Sequence, residues 1–345
     1  MQLYADRSYL EDGQSYVPLL YPFWGELPER KGSPDRGRFT DYIRVGHDLF
    51  RLVSPNKADA LLLPGEWQPG KLNPKAYSLS NLAKQYNKPV IIFCISDLDE
   101  GIPIDNAIVF RTALQASKRK PNEFGMPAWQ KDLMKTYCGG RLPFRDKPLV
   151  PTVGYTGYVD YKDFFSYVMN LLRRLMRGGQ NHKGAYLRGR ATRLLARSSL
   201  VKTVFTIRDR CLTGAASFEE REVFIRNIVD ADYSLVARGG GNFSYRLYEV
   251  LCLGRIPLFV DSDCVLPFDH LINWKKYCLW VDEMDIGSIA KLVSEFHSSL
   301  SACEFLDLQR NARKLYEEYL SPSGFYSNIC RCMPGDCSER KGNAK

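Results

Sequence analysis

Apolar residues fall in short continuous runs, and the stretches between them have helical spacing, which is typical of a parallel β-sheet covered by helices. In the first half of the chain, runs at 58–63 and 89–95 predict buried strands, and residues 77–85 predict a helix between them. Strand, helix and strand make one βαβ unit. Residues 118–147 carry Pro and Gly without a clear period. We therefore expect a domain boundary near Pro148.

The same pattern restarts after the boundary. It predicts strands at 149–155, 201–207, 233–237, 256–260 and 277–281, and helices at 161–177, 186–200, 218–228, 245–253, 286–300 and 305–319. Such alternation indicates a parallel sheet with helices on both faces, which binds ligands beyond the carboxyl ends of its strands. We predict two α/β domains, residues 1–147 and 148–325, and a flexible tail at 326–345.

Charge is concentrated in one segment. The chain has a net charge of +9, and residues 173–210 hold 11 of the 48 Lys and Arg residues but one of the 39 acids. Because the remainder is nearly neutral, a general nucleic-acid-binding surface is disfavoured, and no nucleic-acid partner is expected. Three interpretations of the basic segment stay open: a solvated helix face, attraction of an anionic substrate, or docking on an anionic membrane.

The cysteines and the apolar runs indicate the cellular compartment of the protein. Most of the ten cysteines lie in apolar runs, as Cys94 and Cys252 do, which is typical of a reducing compartment. Cys330, Cys332 and Cys337 lack a fourth metal ligand nearby, so no metal site is predicted there. The first residues lack a signal-peptide core, and no apolar run reaches about 18 residues. We expect a cytoplasmic protein, at most peripheral on the inner face of a membrane.

The densest chemical signal is the segment 238–249, which reads Arg-Gly-Gly-Gly-Asn-Phe-Ser-Tyr-Arg-Leu-Tyr-Glu. Its glycines let the backbone turn and approach a ligand, and the helix N-terminus that follows favours phosphate. Asn242 or Ser244 is a candidate cap of this helix. The spacing G-x-G-x-x-G is absent, and no Lys-Ser/Thr pair follows the glycines as in a P-loop.

Charged side chains flank these glycines. Arg238 and Arg246 offer forked donors to phosphate oxygens, and Glu249, one helical turn after Arg246, suits the hydroxyls of a ribose. The arrangement indicates a cradle for a nucleoside diphosphate. The alternative is a flexible turn followed by a surface Arg246–Glu249 ion pair.

The segment continues with Gly254-Arg255-Ile-Pro257, Leu266-Pro267-Phe268 and Trp280-Val-Asp282-Glu283. Residues 232–283 together resemble the exostosin-like glycosyltransferases, and 96–99 with 110–112 look like a bacterial branch of that family. The resemblance implies a GT-B fold, two Rossmann-like domains facing across a cleft. It also implies inverting, metal-independent transfer from a UDP-sugar to a glycan or lipid-linked glycan.

The resemblance also implies roles for individual residues. Arg238 and Arg246 would contact the diphosphate and Glu249 the ribose. The phosphates and sugar would be surrounded by Gly239, Gly240, Gly241, Asn242 and Ser244. Thr156 and Gly157, expected in the loop after the first strand of the second domain, would face the cleft from the same side.

Inverting transfer requires a base that deprotonates the acceptor. Asp97 follows the strand at 90–95 and is our first candidate, and Asp99 and Glu123 are the other acids expected on the acceptor side. Asp97-Leu-Asp99 and Asp261-Ser-Asp263 have the spacing of a cation site, which is the metal-dependent alternative. We expect no cofactor, since the two arginines neutralise a diphosphate.

Other functional classes remain as alternatives. They are a nucleotide-sugar-modifying enzyme or nucleotide hydrolase, a non-enzymatic nucleic-acid- or membrane-binding protein, and a degenerate transferase that acts as a scaffold. The presence of Arg238, Arg246 and Glu249 argues against the scaffold.

Overall fold

The apolar runs of the first half form a parallel sheet. The computed structural model describes residues 1–29, 35–160, 183–208 and 217–333. Within the first two ranges the strands are β1 (Gln2–Tyr4), β2 (Arg51–Leu52), β3 (Ala60–Leu62), β4 (Val90–Cys94), β5 (Ala107–Arg111) and β6 (Glu123–Gly125). Their order in the sheet is β2-β1-β3-β4-β5-β6, and every pairing is parallel. All five residues of β4 are buried, as its apolar sequence predicts.

A second parallel sheet follows residue 148. Its described strands are β7 (Thr152–Tyr158), β8 (Lys202–Arg208), β9 (Tyr233–Val236), β10 (Ile256–Asp261) and β11 (Leu279–Asp282). They are ordered β11-β10-β9-β7-β8. The order reverses between β7 and β9, and doubly wound sheets bind ligands at the carboxyl ends of the strands on either side of such a reversal.

Helices cover both sheets. Those before residue 148 are α1 (Tyr21–Trp24), α2 (Thr40–Leu49), α3 (Pro74–Gln85) and α4 (Leu133–Tyr137). Those described after it are α5 (Lys183–Ala196), α6 (Phe218–Val229), α7 (Tyr245–Cys252), α8 (Ile289–Ser299), α9 (Ala302–Leu315) and α10 (Pro322–Asn328). Capping boxes start α6 at Ser217 and α9 at Ser301. The helix predicted at 161–177 lies outside the described residues.

The last described residues pack on the first domain, so the flexible tail predicted from residue 326 is wrong for 326–333. Helix α10 returns to the first sheet, where the ring of Tyr326 lies 4.3 Å from that of Tyr42 and 5.3 Å from that of Trp129. Ile329 and Cys332 are also buried. Aromatic residues of both halves therefore form one continuous core.

The two sheets meet through the loops at their carboxyl ends. Arg119 of the first domain pairs with Asp269 of the second at 2.6 Å. The amide of Ala116 donates to the carbonyl of Asp263 at 3.0 Å, and the Asn242 side chain donates to the carbonyl of Leu114 at 3.3 Å. Two Rossmann-like sheets with their ligand-binding edges turned toward each other confirm the predicted GT-B fold. Among the described residues, no helix has the length and apolarity needed to cross a bilayer.

Candidate functional site

The segment with the densest chemical signal lies at the reversal of the second sheet. Arg238–Gly241 follow the end of β9, and Thr156 and Gly157 lie beside them on β7. Thr156 and Gly157 do not lie in a loop, as predicted, because both pair with β8 and belong to the strand. Thr156 is 2% exposed, and its hydroxyl has no hydrogen-bond partner among the described residues.

Asp97, from the opposite domain, contacts the glycine run directly. A Cβ placed on Gly240 would lie 2.7 Å from Asp97 Oδ2, and a Cβ on Gly241 would lie 2.8 Å from Asp97 Cα. Real Cβ contacts are not this short, so the absence of side chains at both positions lets the two domains approach. Asp97 itself is exposed. The structure thus brings the predicted base and the predicted donor loop together.

Arg246 lies beneath this loop, on the first turn of α7. Its guanidinium donates to the carbonyl of Thr156 and lies over the rings of Tyr155 at 4.3 Å and Phe224 at 5.0 Å. Burial lowers the pKa of Arg246, whereas Tyr155 and Glu249 act in the opposite direction. The aromatic faces fix the guanidinium plane on the β7 side of the loop.

Two arginines of the basic segment stand near Arg246. The charges of Arg188 on α5 and Arg208 at the end of β8 both lower the pKa of Arg246 further. Arg188 Nε donates to the carbonyl of Gly184, and Arg208 donates to the carbonyl of Glu220. Like charges gathered at the carboxyl end of a sheet create a field that favours an anion.

Arg238 lies at the start of the loop. It is 8% exposed, and its Nη2 donates to the carbonyl of Gly240 at 3.3 Å. Helix α5 packs closely behind it, because a Cβ on Gly184 would lie 2.3 Å from the carbonyl oxygens of Arg238 and Gly239. The backbone of the loop is therefore held from both sides, by α5 and by Asp97.

Neither Asn242 nor Ser244, the two predicted caps, caps α7 with its side chain. Ser244 occupies the N-cap position of α7, but its side chain accepts no capping hydrogen bond from the described helix. Asn242 is 2% exposed and donates to the carbonyls of Leu114 and Asp263, while its oxygen accepts from Ser262 at 2.8 Å. Asn242 therefore joins the two domains instead of capping α7.

Glu249 is paired with Arg221, a residue that the sequence motifs do not single out. Its Oε1 accepts from Arg221 Nη1 at 2.6 Å, and Arg221 also lies 3.7 Å from Asp35 of the first domain. The surface pair Arg246–Glu249 is thus replaced by an interior pair, in which Glu249 is 5% exposed. Helical spacing is the sequence signal that could indicate a buried Arg221, since it lies on the same face of α6 as the buried Ile225 and Ile228. Ribose binding by Glu249 stays a prediction.

Glu123 and Asp99, the other two candidate acids, form ion pairs within the first domain. Glu123 is 3% exposed, accepts from the buried Arg111 at 3.0 Å and from the Lys120 amide at 3.0 Å. This carboxylate is inaccessible to an acceptor, so Glu123 has a structural role and the prediction of acceptor binding is not supported by the geometry. Asp99 is half-buried and pairs with Lys118 at 3.3 Å.

Within the described part of the chain, neither Asp97-Leu-Asp99 nor Asp261-Ser-Asp263 is part of a cluster of metal ligands. Asp263 accepts from the Ser117 amide and hydroxyl, and Asp261 accepts from the Cys264 amide at 3.0 Å. No group of three or more His, Cys, Asp or Glu side chains suited to a metal occurs among the described residues. Cys337, the third thiol of the tail, lies outside them.

Sequence comparison supports the resemblance over the second domain. Residues 179–296 match the family model of the Exostosin GT47 domain. The Exostosin-1 homolog of Caenorhabditis elegans is 30% identical over 32% of this chain and 28% of its own length. The Probable glucuronosyltransferase 47 A of Physcomitrium patens is 30% identical over 27% of this chain and 20% of its own. The chain thus spans less than a third of the curated relatives' length.

Solved structures match over more of the chain but distantly. A glycosyltransferase from Rickettsia africae covers 88% of this chain and 82% of its own, with a TM-score of 0.35 and 10% identity. The match to WaaG, a glycosyltransferase involved in lipopolysaccharide biosynthesis, covers 88% of this chain and 97% of WaaG, with a TM-score of 0.32 and 11% identity. The likeness to exostosins therefore rests on the sequence matches alone. Over residues 179–296 the chain is similar to the exostosin-like glycosyltransferases, the resemblance that residues 232–283 predict.

Proposed function

We propose that this protein is an inverting, metal-independent glycosyltransferase that takes a sugar from a UDP-sugar and delivers it to a glycan or lipid-linked glycan. The observation that carries the proposal is the contact between Asp97 and the Gly240–Gly241 backbone. It joins an exposed carboxylate of one domain to the glycine loop at the sheet reversal of the other. Relatives of the matched domain named as glucuronosyl- and xylosyltransferases support the reaction class.

The donor diphosphate would bind at the glycine loop. Arg238 and Arg246 supply forked donors, and Arg188 and Arg208 add positive potential beside Arg246. Bringing an anion into this group relieves the repulsion between the guanidinium groups. The same charges stabilise the diphosphate as it leaves, which is where negative charge develops in the transfer.

The acceptor would be activated by Asp97. Its carboxylate takes the proton of the acceptor hydroxyl, the hydroxyl oxygen forms the new bond to the anomeric carbon, and the bond from that carbon to the diphosphate oxygen breaks. Attack opposite the leaving group inverts the configuration. Asp97 lies on the first-domain side of the loop and Arg246 lies on the β7 side, which suits attack and departure on opposite faces.

The test separates binding from turnover. A thermal-shift screen against a panel of sugar nucleotides identifies the donor, because a ligand that binds the folded state raises the unfolding temperature. Calorimetry with UDP then compares Asp97→Asn with Arg246→Gln. We expect Asp97→Asn to bind UDP normally and to lose turnover, and Arg246→Gln to lose UDP affinity. Turnover of Asp97→Asn at the unaltered rate would refute Asp97 as the base.

We also propose that exposed arginines on α5 and directly after it hold the protein at the inner face of an anionic membrane. Arg190 on α5 and Arg197, the residue after its end, are exposed, while Leu187, Ala191 and Leu195 of α5 are buried. Each basic residue near an anionic surface contributes about 1 kcal/mol of attraction. Liposome flotation with and without anionic lipid tests this, and flotation that is independent of lipid charge would refute it.

A further inference from the structure

A second concave surface lies beside the candidate donor site. It has a volume of about 670 Å³ and is bounded by residues 36–41 and 131–137 of the first domain and by the start of α6. Four cationic side chains and two aromatic rings line it: Arg36, Arg38, Lys131, Lys135, Tyr137 and Phe218. We call this surface the basic cavity.

The acidic side chains of the basic cavity are already neutralised. Asp41 pairs with Lys135 at 2.8 Å, and Asp132 pairs with Arg313 at 2.8 Å. By contrast, the side chains of Arg36 and Lys131 form no hydrogen bond and no ion pair within 4 Å with any residue that the structure describes, although the charge of Arg36 acts on Glu26 and opposes the rise that burial causes in the pKa of that carboxyl. The cavity thus presents two positive charges that no described side chain binds directly, next to the aromatic rings of Tyr137 and Phe218.

The basic cavity adjoins the place where the two domains meet. Arg221 lies one turn after Phe218 on α6 and connects Asp35, the neighbour of the lining residue Arg36, to Glu249 of the second domain. Tyr245, which begins α7, packs 5.7 Å from the Phe243 ring, and that ring lies beside Gly241 together with Asp97. Burial, and then the charges of Asp35 and Asp97, raise the pKa of Tyr245. A molecule in the cavity would therefore lie on the first-domain side of the glycine loop, where an acceptor approaches Asp97.

We propose that the basic cavity binds a carboxylate or phosphate group carried by the acceptor glycan. The inference rests on the proposed function, since it specifies the acceptor of that reaction. A guanidinium and an ammonium group bind both kinds of anion by charge-assisted hydrogen bonds. Tyr137 and Phe218 supply the apolar surface that lines most small-molecule sites. Neutral glycans lack the group that Arg36 and Lys131 would bind.

Calorimetry on the full chain tests the proposal with three probes. Methyl glucuronide carries a carboxylate, glucose 6-phosphate carries a phosphate, and methyl glucoside is the neutral match. We expect one or both anionic probes to bind more tightly than methyl glucoside. Binding of the carboxylate alone or the phosphate alone identifies which anion the acceptor carries.

Paired variants locate the binding. Arg36→Gln/Lys131→Gln should weaken binding of the anionic probe about tenfold or more, because each substitution removes a charged hydrogen-bond donor. Arg51→Gln/Lys57→Gln removes two exposed cations of the same domain outside the cavity and should leave the affinity unchanged. Equal affinity for methyl glucoside, no binding of either anionic probe, or equal losses in the two double variants would overturn the proposal.

A parallel titration with UDP separates this proposal from the proposed function. If wild-type protein binds the anionic probe through Arg36 and Lys131 but does not bind UDP, the transferase function fails and the cavity assignment stands. If UDP binds equally to wild type and to Arg36→Gln/Lys131→Gln while no anionic probe binds, the cavity assignment alone fails.

Discussion

Substituting alanine along the glycine run tests the contact between the domains. At Gly241 the new Cβ would lie 2.8 Å from Asp97 Cα and 2.9 Å from Phe243 Cε1, so a backbone and a packed ring must both move. Overpacking of this kind lowers the free energy of unfolding by about 1–3 kcal/mol. At Gly240 the shortest contact is with a carboxylate oxygen of the exposed Asp97, which can rotate away at a cost of about 0.5–1.5 kcal/mol. At Gly239 the nearest atom is 3.4 Å away, an ordinary contact.

The three variants should therefore separate stability from turnover. Gly239→Ala should match or slightly exceed the wild-type stability, by at most about 1 kcal/mol, because alanine restricts the unfolded chain. Gly240→Ala should unfold almost as wild type does, but it should lose about a hundredfold in turnover because Asp97 is displaced. Gly241→Ala should be both less stable and less active in turnover than the wild type.

Thermal unfolding and donor turnover by the sugar nucleotide found in the screen measure the two effects. The glycine series has its own internal control, since all three changes add the same methyl group to neighbouring residues. A Gly241→Ala protein as stable as Gly239→Ala would show that the domains do not touch here in solution. Wild-type turnover by Gly240→Ala would refute the assignment of Asp97.

Three further predictions concern buried ionisable groups. Glu249→Gln removes the nearer counter-charge of the buried Arg221 and leaves Asp35 at 3.7 Å, so the free energy of unfolding should fall by about 3 kcal/mol. Calorimetry should show about tenfold weaker UDP binding, and unchanged affinity would contradict the ribose role. Glu123→Gln should be destabilised by a similar amount through Arg111, yet it should bind UDP normally by the same calorimetry. Burial lowers the pKa of His297, which bridges Tyr233 and the Pro148 carbonyl, so the unfolded state binds the proton more readily. The free energy of unfolding should accordingly fall as the pH drops below about 6.5, and chemical denaturation of His297→Asn should show a smaller decrease.

The second domain was predictable because its signals are local. Strands β9 and β10 are buried runs that are mostly apolar, β8 alternates, and the sheet order places the glycine segment at the edge where ligands bind. Asp97 could be found in the same way, since it directly follows a strand with five buried residues. Position along the chain therefore located both sides of the candidate site.

Features that depend on distant contacts were not predictable. Strands β1 and β2 have three and two residues, too few to show an alternating pattern. The ion pair of Glu249 with Arg221 joins two helices whose facing cannot be read from either one. Helix α10 begins with a proline and contains a glycine, and it is stabilised by packing against the first domain, which its own sequence does not indicate.

The return of α10 to the first sheet has a consequence for biosynthesis. Tyr42, Phe93 and Trp129 surround Tyr326, a residue that leaves the ribosome long after them. The first domain emerges with an open aromatic face and completes its core only when the second domain has been translated. Folding domain by domain is therefore incomplete in the nascent chain, which must be kept from aggregating through that face until residues 322–328 arrive.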